Sequence, residues 1–502
     1  MVLMEYLGLA PSSTLVLAFL TLFAAALIVY GIGHLAGKYT GWIAALASLI
    51  STLLMLDIVM PASTTGVLAG PYTWIPAFLN VGLYADGLSY PIVLMISALG
   101  TITLFYSAID MKESESPRAY YGNMLLFIGG MIGVVLSTNL IEFILFWEVM
   151  LLPSFIIISM FGVTEERRTS ALKYFLYTHF GSAFLFAGVF IIGFLASPYT
   201  VPPSNAFDLS AIGAAMPTML SVARGALLGA ALMILVAFAV KMAIFPLHTW
   251  LPSAYYDAPI PATLLLSSAM TKTAAYGIVR ILILFLAPQL VDWRLGLMIV
   301  ALVTMYYGGI LALAQDNLKS MLAYSSMSQM GYILFGLATL TLYGGLGGVF
   351  HIINHGIAIA VMWLTCGILL KQAGSFEFNK LRGLGAKMPV TAMCAVIAGL
   401  GLAGTPPLAG FQSEVLIFLG GTIYPVLLLL AIIATALTAG YYLWAVRRIF
   451  FGPIKASLKG VEDAPRGVRL LLLILTFFIV VFGIIPNLIL GVINPILATV
   501  LH

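Results

Sequence analysis

Long apolar runs alternate with short polar stretches along almost the whole chain. Runs near the ~20 residues that a helix needs to cross a bilayer fall near 12–33, 42–60, 88–108, 119–138, 140–161, 170–195, 226–256, 261–287, 295–314, 318–340, 344–370, 389–420, 423–446 and 468–490, 14 in all. Two of them, 226–256 and 389–420, exceed 30 residues and carry an internal break. The first holds "FPLH" with Pro246, and the second "GTPPLAG" with Pro406 and Pro407. Backbone freed by a break at membrane depth must be satisfied by protein or a water-filled cavity, so both runs read as discontinuous helices. The pattern predicts an all-α polytopic membrane protein of about 14 transmembrane helices, with the seventh and twelfth broken.

The order of features repeats. "STNLIEFILFW" opens the fifth run and "QDNLKSMLAYS" the tenth, their Asn-Leu pairs 178 residues apart. His179 in the sixth run and His355 in the eleventh lie 176 apart, and the broken runs follow at equivalent places. A five-helix unit repeated once has opposite topology in its two copies, the inverted-repeat arrangement of many transporters. The expected organisation is a three-helix N-terminal segment (1–117), a first repeat (118–287), a second (295–451) and a C-terminal helix (468–502).

Composition and charge agree. Of 502 residues 62% are hydrophobic and 8% charged, against about 25% charged in soluble domains. With both termini outside, 17 of the 22 lysines and arginines fall in inner loops, Lys38, Lys112, Arg118 and Lys319 among them, and only Arg224 and Arg294 lie outside; positive charge marks the inner side. The first run follows a start with one acid, Glu5, and is long enough to span, so no cleavable signal peptide is expected. Cys366 and Cys394 sit in apolar runs without CxxC spacing, so no disulfide framework, iron–sulfur site, metal or cofactor is expected. Nothing points to nucleic acid.

The informative residues are charges inside the runs: Glu148 in "ILFWEVMLLP", Lys241 before the first break, Lys272 in "SSAMTKTAAYG", and Glu414 after the second break in "GFQSEVLIF". Insertion scales put one central charge at ~2.5–3.5 kcal/mol, so four must be paired, hydrated or neutralised. Burial disfavours a charged lysine and a nearby carboxylate favours it, so moving the carboxylate switches the proton. Glu148 and Lys241 are thus expected to form a gating pair, with Lys272 the next relay. His351 and His355 share a helix face by their i, i+4 spacing and suit a proton relay. His179 and His248 are weaker candidates, His248 equally suited to satisfying the broken helix. Glu142 is expected to be solvated, Arg280 to snorkel or pair locally, and Asp257 to organise an inner turn. The alternative is that these groups only lock helices together.

Four stretches carry a family resemblance: "FWEVMLLPSF" (146–155), "KMAIFPLHTWLPSAYYDAP" with "TKTAAYG" (241–259, 271–277), "QDNLKSMLAYSSMSQMGYI" (315–333) and "GTPPLAGFQSE" (404–414). They resemble the antiporter-like membrane subunits shared by complex I, multisubunit cation/proton antiporters and energy-converting membrane hydrogenases, from about the third run to the thirteenth. The resemblance implies two inverted five-helix repeats, each contributing a half-channel. It implies a hydrophilic axis through Glu148, Lys241, Lys272, His355 and Glu414. Glu414 matches the M-type subunits of complex I; Gln329 matches the antiporter and hydrogenase branch. Ile359 stands where relatives often carry a lysine. No long amphipathic helix is read after the last run, so an L-type subunit with its lateral helix is not expected.

The expected function is translocation of protons, or exchange of protons and sodium, by a non-catalytic subunit of an oxidoreductase or antiporter complex. Its expected partners are other membrane subunits, homologous ones included, within the lipid bilayer of the cell membrane. A stand-alone secondary transporter of a small solute is the alternative.

Overall fold

The computed structural model describes residues 8–75, 79–110, 116–201 and 205–501. Glu5, Lys112 and His502 lie outside them. Two compact units emerge, and both are discontinuous in sequence. The first comprises Met1–Phe161, Ala171–Lys241 and Thr273–Leu290; the second comprises Gly162–Ser170, Met242–Lys272 and Val291–His502.

In the first unit the helix Pro11–Ala36 packs on Thr40–Asp57 and on Pro117–Leu136, which in turn packs on Leu140–Phe161. The last crossing is close because Gly130 has no side chain. A methyl built there would stand 2.6 Å from the Met150 amide nitrogen, so the small residue sets the helix separation, as it commonly does in membranes. One feature is absent from the apolar-run reading. Strands β1 (Val67–Ile75) and β2 (Leu79–Ala85) form an antiparallel hairpin between the second and third expected spans. Its strands are too short and interrupted by Gly70-Pro71 to register as an apolar run.

The seventh span departs from its expected limits of 226–256. Its helix begins at Leu209 and ends at Lys241, with a kink at Ala223. In the second unit, residues 242–249 are non-helical before Trp250–Asp257. The twelfth span breaks as expected, with Pro389–Leu402 and Ala409–Gly421 separated by six residues (403–408). A further short helix, Asn487–Leu497, follows Arg466–Ile484.

Eleven helices among the described residues are long and apolar enough to cross a membrane, against 14 apolar runs. The difference has three sources. Ile260–Leu313 counts as one continuous span where two were expected. Leu318–Ala338 carries many serines, a glutamine and a lysine and is not among the eleven. Each half of the twelfth span is too short by itself.

The two Asn-Leu motifs make the same backbone contact. Asn139 bridges Asp208: the Leu140 amide donates to Phe207 O at 2.9 Å and the Leu209 amide to Thr138 O at 3.0 Å. Asn317 bridges Glu377: the Leu318 amide donates to Phe376 O at 2.9 Å and the Phe378 amide to Asp316 O at 3.0 Å. In both units an asparagine at a helix start is clamped to an acidic residue preceded by phenylalanine.

Candidate functional site

In the first unit Glu148 projects from the helix Leu140–Phe161 and its carboxylate lies 3.5 Å from His179 Nδ1 on Arg167–Ala196. The His179 side chain is 53% exposed and that of Glu148 22%. Lys241, at the last turn of its helix, is buried. Its Nζ has no hydrogen-bond partner among the described residues. It faces two rings instead, 5.3 Å from the Trp147 centroid and 5.7 Å from Tyr174. Cation–π attraction of this kind is worth ~2 kcal/mol or more when desolvated, less than full pairing. The Glu148 charge still acts on Lys241. The expected gating pair is therefore not in direct contact: the carboxylate meets His179, because residue 148 leans toward the exposed helix and the lysine toward the aromatic side. Tyr174 is itself hydrogen-bonded to Ser154 at 2.7 Å.

In the second unit Lys272 follows a π-helical turn, Leu266–Met270. Such turns recur at functional sites because they loosen the regular ladder. Lys272 Nζ donates to the Ser267 carbonyl and, at 3.3 Å, to Thr271 Oγ1. Its charge acts on both His351 and His355, which lie on Leu342–Ala373 with their rings stacked 6.1 Å apart. His351 is held at both nitrogens: Nδ1 is 2.9 Å from Ser413 Oγ and Nε2 2.6 Å from Gln329 Oε1. His355 has neither nitrogen hydrogen-bonded among the described residues. Glu414 follows Ser413 directly and is buried, with Oε1 unpartnered. Its carboxylate packs on the break: a methyl built on Gly404 (φ +67°) would stand 2.3 Å from Glu414 Oε2. Gly404 is thus required twice, for its left-handed backbone and for room beside the carboxylate.

The remaining expectations divide. Lys272, His351 and His355 come together, with Glu414 on the helix that presents Ser413. His248 sits apart in the first break, its ring stacked on Phe245 (5.7 Å) and edge-on to Tyr307 (4.8 Å). In the same break, the Phe245 amide beside Pro246 donates to Thr304 Oγ1 at 3.1 Å. Pro406 and Pro407 lie in the second break. Asp257 does anchor a turn, accepting from Thr164 Oγ1 at 2.6 Å.

Three readings need correction or completion. Glu142 is buried rather than solvated, because Oε2 accepts from the Thr138 amide (3.1 Å) and the Gly82 amide (3.4 Å), capping its own helix against the hairpin. Arg280 does pair locally, Nε donating to Tyr276 at 2.8 Å, but it does not snorkel, and its main partner is distant: Nη2 meets Asp86 Oδ1 at 2.6 Å, 194 residues away. Burial alone would raise the Asp86 carboxyl, but the Arg280 guanidinium and hydrogen bonds from Ser89 outweigh it and hold the carboxyl below the usual carboxylate range. Lys319 is buried rather than a loop charge, its Nζ donating to Ala258 O at 2.9 Å. Gln329, Ser413 and Trp147 were not expected to touch the ionisable groups. Their positions one residue from Glu414 and Glu148, or in a polar "SSMSQ" stretch, were the only signals.

Comparison with known proteins places the chain. The family described as "NADH:quinone oxidoreductase/Mrp antiporter, TM" matches residues 137–438. F(420)H(2) dehydrogenase subunit M of Methanosarcina mazei is 32% identical over 425 residues, 83% of each chain. NAD(P)H-quinone oxidoreductase chain 4 3 of Trichormus variabilis is 33% identical over 399 residues, 78% of this chain and 72% of that one. A chain of respiratory complex I from Thermus thermophilus superposes with a TM-score of 0.86 at 25% identity, over 97% of this chain and all of that one. A chain of the archaeal membrane-bound sulfane sulfur reductase superposes at 0.83 with 26% identity, over 95% and 77%. The Mrp complex of Dietzia shares the fold, at 0.84 and 21% identity. This integral, multi-pass membrane protein belongs to the NADH:quinone oxidoreductase/Mrp antiporter transmembrane family.

Proposed function

We propose that the chain is an ion-translocating, antiporter-like subunit of a multisubunit membrane complex. Protons move through one relay in each unit: Glu148, His179 and Lys241 in the first, and Lys272, His355, His351 and Glu414 in the second. The observation that carries this reading is the set of buried ionisable groups that find no direct countercharge among the described residues: Lys241 Nζ, both nitrogens of His355 and Glu414 Oε1. Groups that only lock helices are expected to be paired, since an uncompensated polar atom in a dry interior costs ~1–3 kcal/mol. The Asp86–Arg280 pair has that structural form; the relay groups do not. Protons suit the inventory better than sodium, because lysine and histidine pass a proton, repel a cation when protonated, and offer no oxygen ligands of the kind hard cations take.

The partners are other membrane subunits, and redox chemistry, where the host complex has it, belongs to them. Glu148 and His179 support this. His179 lies on a helix whose Leu172, Leu176 and Phe180 are exposed, Glu148 reaches it from the neighbouring helix, and a carboxylate facing lipid costs ~2.5–3.5 kcal/mol. A neighbouring subunit covering that face removes the cost. The charge bias supports an orientation with both termini on the outer side. The matching Asn139 and Asn317 clamps support two inverted five-helix repeats, 118–287 and 295–451.

The test uses the intact host complex in liposomes. Glu148→Gln and Lys241→Met are each expected to abolish coupled proton movement while assembly and the partners' turnover persist. Unchanged pumping in both variants would overturn the assignment.

A further inference from the structure

A cavity of about 440 Å³ opens at the C-terminal end of the span Pro425–Phe450, in the second unit. Four cations line it, Arg382, Arg447, Arg448 and Lys455, and no acid does. Among the described residues none of the four is paired with a carboxylate. The helix C-terminus favours Arg447 and Arg448 through its dipole, but Arg382 and Lys455 come from two loops and gain nothing from it.

Packing holds these charges around one space. The Arg448 guanidinium lies over the Trp444 ring at 4.9 Å, and Trp444 meets Phe378 edge-on, also at 4.9 Å. Lys455 Nζ donates to the Asn379 carbonyl. The two loops are locked face to face: a methyl on Gly383 (φ +71°) would stand 2.6 Å from the Ile454 amide nitrogen, and one on Gly452 (φ +88°) 3.2 Å from Arg382 Nε. Four like charges held in place without a countercharge repel one another, and a bound anion relieves that repulsion.

A second cavity of about 460 Å³ adjoins the first, sharing Phe451 and Gly452. It is apolar, running along Met393, Val396 and Ile397 on one face of the helix Pro389–Leu402. A basic cup at the end of a membrane span, with a tryptophan at the rim and an apolar groove leading from it, has the shape of a phospholipid. Guanidinium forks match phosphate oxygens, and basic pockets beside spans take anionic headgroups. We propose that this double cavity binds an anionic phospholipid, its phosphate among Arg382, Arg447, Arg448 and Lys455 and one acyl chain in the groove.

Delipidated full-length protein in detergent would be titrated with phosphatidylglycerol, phosphatidylcholine and inorganic phosphate, and the bound species read by native mass spectrometry. Phosphatidylglycerol is expected to bind in preference to phosphatidylcholine, and inorganic phosphate at millimolar concentration is expected not to displace it. The double variant Arg447→Gln, Arg448→Gln should bind phosphatidylglycerol about 30-fold more weakly, and Arg382→Gln, which leaves the helix end intact, about 5-fold. Met393→Trp should weaken binding by filling the groove without altering charge. Lys387→Gln, which does not line either cavity, should bind as the unaltered chain does. Should the double variant fail to fold, Arg382→Gln and Met393→Trp carry the test. Equal binding of the two lipids, displacement by inorganic phosphate, or unaltered affinity in the folded variants would overturn the proposal. So would crosslinking that finds a protein subunit in the cup.

Discussion

The two relays use the same parts in different surroundings. Each has a carboxylate, a lysine and histidine, and each adjoins a broken helix. In the first unit the carboxylate and histidine reach the surface while Lys241 is sealed behind Trp147 and Tyr174. In the second, Lys272, His351, His355 and Glu414 are all buried, and small residues close the space around them. The contrast separates two ways of keeping an ionisable group in a membrane. One leaves its polar end at a face that another subunit covers. The other surrounds it with fixed hydroxyls and amides and leaves selected atoms free.

The largest stability effect is expected away from both relays, at the fully paired Asp86–Arg280 bridge. Asp86→Ala leaves the guanidinium buried and uncompensated, a loss of roughly 3–5 kcal/mol in thermal unfolding of the purified chain. The sign with pH follows from the lowered Asp86 carboxyl. Its stabilisation is fully present above the unfolded value near ~3.9 and disappears as pH falls below that through the folded one. The gap between the unaltered chain and Asp86→Ala should therefore narrow only below about pH 4. A gap that closes between pH 7 and 5 would contradict the pairing.

A smaller effect tests how tightly the second relay is packed. A methyl on Gly410 would stand 1.9 Å from the Gly401 carbonyl oxygen, whereas one on Gly229 in the first unit meets nothing within 4 Å. Gly410→Ala should destabilise by ~1–3 kcal/mol, and Gly229→Ala should be stabilising by ~0.5–1 kcal/mol. Comparable unfolding temperatures for the two would remove the packing contrast.

The histidines give the next step down. His351→Leu strands the buried Gln329 Oε1 and leaves Ser413 only backbone acceptors such as Gly410 O, at ~1–3 kcal/mol. His179→Leu removes a half-exposed side chain and should change stability by less than ~0.5 kcal/mol. The smallest perturbation is chemical: a water-soluble maleimide should label His179→Cys in the isolated chain and spare His355→Cys, against the buried Cys366 and Cys394. Labelling of both would show that the second relay is not dry.

Much of this was legible in the sequence because the bilayer restricts the solutions. A charge inside a 20-residue apolar run, such as Glu148 or Lys272, announces itself, and so does a Gly-Pro break. The repeated Asn-Leu pair was also visible, though not the clamps that Asn139 and Asn317 make to Asp208 and Glu377. The hidden features depend on long-range partners. Arg280 looked peripheral until Asp86 reached it from 194 positions away. Glu142 looked solvated because nothing local reveals that β2 donates to it. Lys319 looked like a loop charge because its acceptor, Ala258, lies in another segment of the same unit. The distance between Glu148 and Lys241 depends on which way each side chain leans, and helical spacing does not fix that.

The central claim is that the relay proposed in each unit is required for coupled proton movement. The direct measurement is the number of protons moved per turnover by the intact complex in liposomes, with Glu148→Gln and Glu414→Gln introduced one at a time. The account predicts that either substitution alone abolishes coupled proton movement while partner turnover continues. Pumping at the unaltered ratio in the Glu414→Gln complex, with loss only in Glu148→Gln, would contradict it.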